Sequence, residues 1–282
     1  MRRTRQRAGT RGAAASTLIE LLAALAIISL LAAMLLGTLG RARARARTAA
    51  CIANVRQLVV AAMLYAADHD GHFPLGAPDL CFDPDSPFQT PENRRRWCGV
   101  RSALDQPYDF ALSPLHPYMP TARIPPCPEV AAGRIALRPG FETGSGGYGY
   151  NQSYVGGSPG LDCRHSARVD QVAAAADTVL FADSAFLAGT DLVEYPFCEP
   201  PYWDLGDRLA GHSDPTTHFR HGGRAVVGWC DGHLSAETPG RHDWLPARFI
   251  RHNLGYVGDA ALSDNGLYDR KPDSAPAGAG SD

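Results

Sequence analysis

The chain has 282 residues, a formal net charge of −2 and 45% hydrophobic residues. This length allows one or two domains with a hydrophobic core, which excludes a wholly disordered chain and a small scaffold held by disulfides alone. The charge is divided unevenly, because residues 1–47 hold nine arginines and one acid, whereas the rest holds 18 basic and 28 acidic residues. Such asymmetry indicates a basic segment that contacts a membrane or a polyanion.

The first predicted element is an apolar helix over residues 17–39, which contain a single charged residue, Glu20. At about 1.5 Å per residue, a helix of this length crosses a hydrocarbon layer of about 30 Å. The stretch is longer than the apolar region of an ordinary signal peptide, and a plain membrane anchor has no use for an acid. Glu20 is therefore a candidate functional residue, with a place among solvated headgroups at the membrane interface as the alternative.

Thr17-Leu18-Ile19-Glu20, with arginine-rich residues before it and an apolar helix after it, resembles the N-terminus of type IV pilin-like proteins, which include the pseudopilins of type II secretion. The resemblance implies cleavage by a prepilin peptidase between Ala15 and Ser16, followed by N-methylation of Ser16. It also implies that Glu20 neutralises the new amino group of a neighbouring subunit during assembly. The family prefers Gly before the cut and Phe after it, so Ala15 and Ser16 depart from its pattern.

The helix is predicted to continue well beyond the apolar stretch, so that it covers residues 16–72 after a leader of residues 1–15. No proline precedes Pro74, and apolar residues recur at helical spacing from Val55 to Ala66. Gly71 is the predicted C-terminal cap. The arginines of residues 41–47 are interpreted as a basic collar that attracts lipid headgroups, and no nucleic-acid partner is expected.

Residues 73–143 are rich in Pro, Asp and Cys and predict a loop-rich insertion. The seven cysteines of the chain form no C-x-x-C pair, so a zinc ribbon is not expected. Disulfides are the prediction for a domain outside the cytoplasmic membrane. Because seven is an odd number, at least one thiol remains free or pairs between chains.

Residues 144–258 predict short strands separated by turns, and two apolar runs separated by Asp231-Gly232 predict a hairpin. Together with the long helix, these strands predict an α+β fold in which the helix packs on an antiparallel sheet, as in pilins. His221, nine further residues and Asp231-Gly232 resemble the H-x9-D-G domain found at the C-terminus of one branch of the pilin-like family. The same branch is suggested by Cys127-Pro128 and by residues 148–151 and 180–184.

Histidines and aspartates of the C-terminal half offer metal ligands, which keeps an anchored metallohydrolase open as an alternative. The candidates are His212, His218, His221, His233, His242, Asp183, Asp214 and Asp231. However, no H-x-x-x-H or H-E-x-x-H spacing places two imidazoles on one helical face. His221, Asp231 and Gly232 are therefore interpreted as a structural motif around the hairpin, and no catalytic residue is predicted.

The tail, residues 259–282, is acidic and ends in a low-complexity segment. Asp264, Asn265 and Asp269 offer oxygen ligands that suit calcium. The resemblance to major pseudopilins, which carry a calcium-binding C-terminal loop, makes these three residues candidate ligands. A solvated acidic tail is the alternative, and no other cofactor is expected.

The leading hypothesis is a non-enzymatic pilin-like subunit that assembles into a type II secretion or type IV pilus-like filament. It predicts a single-pass protein of the cytoplasmic (inner) membrane with an extracytoplasmic C-terminal domain. The expected partners are a prepilin peptidase, other pilin-like subunits and inner-membrane lipids. The alternatives are a membrane-anchored extracytoplasmic binding module and the anchored metallohydrolase.

Overall fold

The computed structural model describes residues 18–80, 92–119, 121, 123–157, 163–205, 208–259 and 265–269. The predicted leader, the processing residues Ala15 and Ser16, the candidate ligand Asp264 and the end of the tail from residue 270 lie outside the described residues. The chain divides into two units, Met1–Ala46 and Arg47–Asp282.

The long helix α1 runs unbroken over Leu18–Asp68, 51 residues. It ends four residues before the predicted boundary, because Asp70 and Gly71 adopt positive φ angles of 52° and 82°. The Gly71 amide donates a hydrogen bond of 2.9 Å to the Ala66 carbonyl, which closes the last turn. Gly71 therefore terminates the helix in the left-handed conformation that the sequence predicted for it.

The part of α1 in the first unit exposes nearly all of its apolar side chains. Leu18, Ile19 and Leu36 are 76%, 74% and 71% exposed. Over this part α1 is long and apolar enough to cross a membrane, with a mean hydropathy of 2.6 in its most apolar window. Glu20 is the third described residue of the helix.

The part of α1 in the second unit buries one face in the domain core. Val55, Leu58, Val59, Ala62 and Ala66 are all at most 1% exposed. These are the positions whose spacing predicted an apolar stripe. They share a core cluster with side chains from the sheet and from the loop-rich insertion.

Short strands make up most of the remaining regular structure. In chain order they are β1 (Arg95–Arg96), β2 (Gly99–Val100), β3 (Tyr148–Tyr150), β4 (Val179–Asp183), β5 (Phe186–Ala188), β6 (Asp191–Val193), β7 (Tyr202–Asp204), β8 (Leu209–His212), β9 (Thr217–His218), β10 (Ala225–Trp229), β11 (Leu234–Glu237) and β12 (Leu254–Gly255). The shorter helices are α2 (Pro128–Ala131), α3 (Ala247–Arg251) and 3-10 turns at Phe110–Leu112, His116–Tyr118, Val169–Gln171 and Gly266–Tyr268. An α+β fold is confirmed at this level.

The main sheet is antiparallel and has the order β11-β10-β4-β3. Strand β10 lies at its centre and pairs Val227 with Ala182 of β4. On the other side β10 forms the predicted hairpin with β11, and Gly232 takes a φ of 97° in the turn. A Cβ atom on Gly228 of β10 would lie 2.4 Å from a methyl of Val59, so the absence of a side chain there lets α1 approach the sheet.

In the described part of residues 73–143 the helices and strands are short, and buried side chains hold the segment in place. Trp97 is fully buried, and its indole lies 5.1 Å from the ring of Phe181 in β4. Arg96 is also buried and pairs with the Glu142 carboxylate at 2.7 Å. Side-chain burial and an internal ion pair therefore fix this segment in place of extended secondary structure.

Fewer of the described cysteines form disulfides than the sequence led us to expect. Cys163 is disulfide-bonded. The other described cysteines carry free, buried thiols: Cys51, Cys98, Cys127, Cys198 and Cys230. Most of the cysteines thus act as small core side chains or as members of the cluster described below.

Glu199 is a buried acid whose protonation makes stability depend on pH. Burial raises the pKa of its carboxyl from 4.5 to about 7, although Tyr195, whose hydroxyl donates to it at 3.0 Å, opposes this shift. Between these two values the folded chain binds a proton that the unfolded chain has released. The stability from Glu199 is therefore greatest at low pH and is lost as the pH rises through about 7.

We expect wild type to lose about 2 kcal/mol or more of unfolding free energy relative to Glu199→Gln between pH 5 and pH 8. Urea denaturation of both proteins at the two pH values measures this difference. His218, whose pKa burial lowers to about 3, acts in the opposite direction below pH 6.5 but equally in both proteins. An unfolding free-energy difference that does not change with pH would contradict a protonated Glu199.

Candidate functional site

Four side chains from separate parts of the chain meet inside the second unit. They are Cys51, Cys127, Asp183 and His221, called here the four-residue cluster. One ligand-type atom of each lies within 4.8 Å of those of the other three, and all four residues are buried. Within the part of the chain that the structure describes, it is the only such grouping of three or more His, Cys, Asp or Glu residues.

Each member is positioned by the end or the buried face of an element. Cys51 lies on α1 one turn before Val55 and extends the buried stripe. Cys127 is the N-cap residue of α2, where Pro128 begins the helix. Asp183 ends β4, and His221 stands between β9 and β10 with its amide bonded to the Arg224 carbonyl at 2.9 Å.

The contacts within the cluster converge on a single small volume. The imidazole Nε2 of His221 lies 3.5 Å from the Cys127 sulfur and 3.3 Å from Asp183 Oδ2. The Cys51 sulfur lies 3.3 Å from Asp183 Oδ1. A Cys–His–Asp catalytic triad would place the sulfur and the carboxylate at opposite nitrogens of the ring, but here both approach Nε2.

Polar neighbours orient the cluster from outside. The Nδ1 atom of His221 lies 3.4 Å from the Thr48 hydroxyl, and the Val226 amide donates to Asp183 Oδ2 at 2.8 Å. The Tyr148 hydroxyl lies 3.6 Å from the Cys51 sulfur. Arg220 is buried, with its Nε 3.8 Å from Asp183 Oδ1.

The pKa values of the two thiols in the cluster are shifted in opposite directions. The hydrogen bond with Cys51 is the main cause that lowers the pKa of Cys127 to about 5, against the effect of burial. The same hydrogen bond, with burial, raises the pKa of Cys51 well above its ordinary value. Burial favours neutral His221, but hydrogen bonds to Asp183 and Cys127 outweigh it and raise the imidazole pKa to about 9. The directions of these pKa shifts favour the thiolate form of Cys127 and the imidazolium form of His221.

The structure separates two residues that the sequence placed in one motif. Asp231 lies in the β10–β11 turn, where its carboxylate accepts a hydrogen bond of 2.9 Å from the His233 amide. Asp231 thus satisfies a backbone donor in the turn next to Gly232. The imidazole of His221 instead contacts the cluster, because the glycines that follow it turn the chain back into β10.

The other histidines of the predicted pool serve as packing groups. His212 stacks on Trp244 with ring centroids 3.6 Å apart, and His233 stacks on Trp229 at 5.4 Å. His218 and His242 are buried among other elements. Of the eight candidate ligands in that half, only Asp183 and His221 belong to the cluster.

The predicted calcium ligands do not form a described site. Asp264 lies outside the described residues, and Asn265 is 1% exposed. The Asn265 side-chain oxygen accepts from the Tyr202 amide at 2.8 Å, and its nitrogen donates to the Tyr154 hydroxyl. Asp269 caps the 3-10 turn Gly266–Tyr268, and its carbonyl accepts from Thr178. The calcium prediction gains no support from Asn265, because its amide is engaged within the domain.

The basic collar also differs at its end from the sequence interpretation. Arg47 forms a salt bridge of 2.8 Å with Glu129 of α2. It therefore contributes to the second unit, whereas Arg41, Arg43 and Arg45 are exposed.

Sequence reasoning missed the cluster as a site, although part of its signal was present. Cys127, the strand that ends at Asp183, and His221 all belong to the landmarks of the H-x9-D-G resemblance. Cys51 lies one helical turn before the stripe predicted from Val55 to Ala66, and its sequence context carried no signal for a site. Comparison of the chain with family models, curated proteins and solved structures found no match.

Proposed function

We propose that this protein is a membrane-anchored, pilin-like subunit that is processed before Ser16 and assembles through the apolar part of α1. The main support for the proposal is that the two parts of helix α1 differ in how exposed their apolar side chains are. Residues 18–39 expose apolar side chains, whereas residues 51–66 bury one face in an α+β domain.

Exposed apolar area on this scale favours an apolar environment for the first part of α1. Large side chains from Leu18 to Leu39 are between 43% and 76% exposed. A patch of that length exceeds what single-domain soluble proteins normally leave in water. A lipid bilayer and the apolar helices of neighbouring subunits both supply the missing contacts.

The presence of Glu20 in the apolar segment favours a role in filament assembly over a role as a simple membrane anchor. A carboxylate within an apolar segment is costly in lipid unless it has a partner. Cleavage before Ser16 would create an α-amino group four residues away, and staggered packing would bring that group of one subunit to Glu20 of the next. Such a charge pair would fix the register between helices, as a polar core residue does in a coiled coil.

In the proposed arrangement the second unit lies on the extracytoplasmic side. Its buried helical face and antiparallel sheet give the assembly a rigid body on each subunit. Arg41, Arg43 and Arg45 would then meet lipid headgroups next to the membrane. No enzymatic step is required for this role.

The test is co-expression of the full chain with a prepilin peptidase and a pilus-type assembly machinery. Intact-mass measurement should show loss of residues 1–15 and gain of one methyl group. Glu20→Gln should still insert and be cut but should lose filament assembly, measured in the sheared fraction. The matched control, Glu20→Asp, keeps the charge and should retain assembly in part.

Two results would contradict the proposal. One is a chain that stays uncut and unmethylated in cells where a known pilin is processed. The other is a Glu20→Gln variant that yields the wild-type amount of filaments.

A further inference from the structure

We propose that the four-residue cluster binds one zinc ion through Cys51, Cys127, Asp183 and His221. The site would be a structural centre that fastens α1 to the sheet. This inference concerns the second unit alone and does not depend on the membrane role proposed above.

The distances fit a tetrahedral zinc site. Zinc lies about 2.3 Å from thiolate sulfur and about 2.0–2.2 Å from imidazole nitrogen or carboxylate oxygen, so the ligand atoms of a tetrahedron are about 3.4–3.8 Å apart. The Cys127 sulfur lies 3.5 Å from His221 Nε2, this nitrogen lies 3.3 Å from Asp183 Oδ2, and the Cys51 sulfur lies 3.3 Å from the other carboxylate oxygen, Oδ1. One ligand atom of each residue lies within 4.8 Å of those of the other three. Small side-chain shifts would bring all four atoms to one ion.

The ligand set also favours zinc among common metals. Two thiolates exclude calcium and magnesium, which prefer oxygen ligands. Thiolate, imidazole and carboxylate are the three ligand types that zinc uses in proteins. Four protein ligands in a buried place leave no open position for water, which is typical of a structural site and argues against the metallohydrolase alternative.

Charge balance in the core supports a divalent cation. A zinc ion with two thiolates, the Asp183 carboxylate and the Arg220 guanidinium has no net charge. The Arg220 side chain is fully buried, and its Nε and Nη1 have no hydrogen-bond partner in the described structure. Its charge is thus available to offset the third anionic ligand.

Outer contacts would hold the ligands in place. The Thr48 hydroxyl lies at the free nitrogen of the His221 ring, and the Val226 amide donates to the Asp183 carboxylate. Such partners commonly orient metal ligands and tune their affinity. A zinc ion here would join α1, the N-cap of α2, the end of β4 and the loop before β10 at one point.

A disulfide between Cys51 and Cys127 is the competing use of the two sulfurs. A disulfide explains both cysteines but gives no reason for a carboxylate oxygen and an imidazole nitrogen to point at the same volume. It would also leave the buried Asp183 and His221 with fewer partners. Zinc uses all four side chains.

The test begins with the metal content of the full chain, purified without chelator in detergent. We expect inductively coupled plasma mass spectrometry to find about one zinc ion per chain. His221→Gln should lose the bound zinc, whereas His233→Gln, an exposed histidine at the hairpin turn, should keep it. Cys127→Ser should also lose the zinc, whereas Cys230→Ser, a buried thiol outside the cluster, should keep it.

Cobalt substitution in the wild-type chain avoids dependence on variants that do not fold. After removal of zinc, added Co²⁺ should give the intense visible bands of a tetrahedral site and a near-ultraviolet band from sulfur-to-cobalt charge transfer. Zinc should displace the cobalt and abolish both bands. Absence of zinc together with absence of the charge-transfer band would overturn the proposal, as would a Cys51–Cys127 disulfide found by non-reducing peptide mapping.

Discussion

Replacing Glu142 with glutamine is expected to lower the free energy of unfolding by about 3–5 kcal/mol. Glu142 is 3% exposed and accepts two hydrogen bonds from the Arg96 guanidinium, at 2.8 and 2.7 Å. The Tyr108 hydroxyl donates a third, at 2.9 Å. Arg101 is also buried and lies 3.9 Å from the same carboxylate. Glutamine fills the same space but leaves two buried cations with less compensation.

Asp191→Asn is the matched control, because it removes an acid from an exposed pair. Asp191 and Arg138 lie 3.4 Å apart with side chains 45% and 68% exposed. Solvent screening limits such a pair to about 1 kcal/mol or less. Urea denaturation followed by tryptophan fluorescence measures both variants. Equal losses of unfolding free energy in the two would show that burial does not strengthen the role of Glu142.

Trp97→Ala is the second substitution with a large expected effect, about 3–5 kcal/mol of unfolding free energy. The indole is fully buried against Phe181 and Tyr150, and its Nε1 donates to the Pro196 carbonyl at 2.6 Å. Alanine would leave a cavity between the insertion and the sheet, and it would remove one of the two hydrogen bonds to the Pro196 carbonyl, which also accepts from the Tyr150 amide at 2.9 Å. Phenylalanine should cost less, because it keeps an aromatic ring and loses the hydrogen bond.

The control for Trp97 is Trp203→Ala, since Trp203 is 37% exposed on β7. A surface change of this kind usually costs about 0.5 kcal/mol. The same urea denaturation experiment ranks alanine and phenylalanine at position 97 against this control. A Trp97→Ala variant as stable as Trp203→Ala would mean that the insertion contributes little to the core.

The sequence was informative wherever structure follows from neighbouring residues. The helix was predicted because apolar residues recur at its own period, and its end was predicted because Gly71 can adopt a positive φ. The β10–β11 hairpin was predicted because Asp231-Gly232 separates two apolar runs. Each of these features depends on residues that are close together in the sequence.

The anchors of the insertion and the four-residue cluster could not be predicted in this way. Trp97 and Glu142 stand in a segment without any period, and only the folded chain shows that both are buried. Successive members of the cluster are 38 to 76 positions apart along the chain, and no sequence motif links them. A rule based on ligands that are close together in the sequence therefore does not find a cluster that long-range packing assembles.

The large separation of these four residues along the chain affects how fast the domain folds. Closing a longer loop costs little extra free energy, about 0.6 kcal/mol for each doubling of its length. It does slow folding, because distant segments must meet before their contacts stabilise them. Cys51 and His221 belong to the same cluster although they stand 170 positions apart in the chain. The cluster forms only where α1, the start of α2, the end of β4 and the loop before β10 come together, so its presence reports that these distant segments have packed.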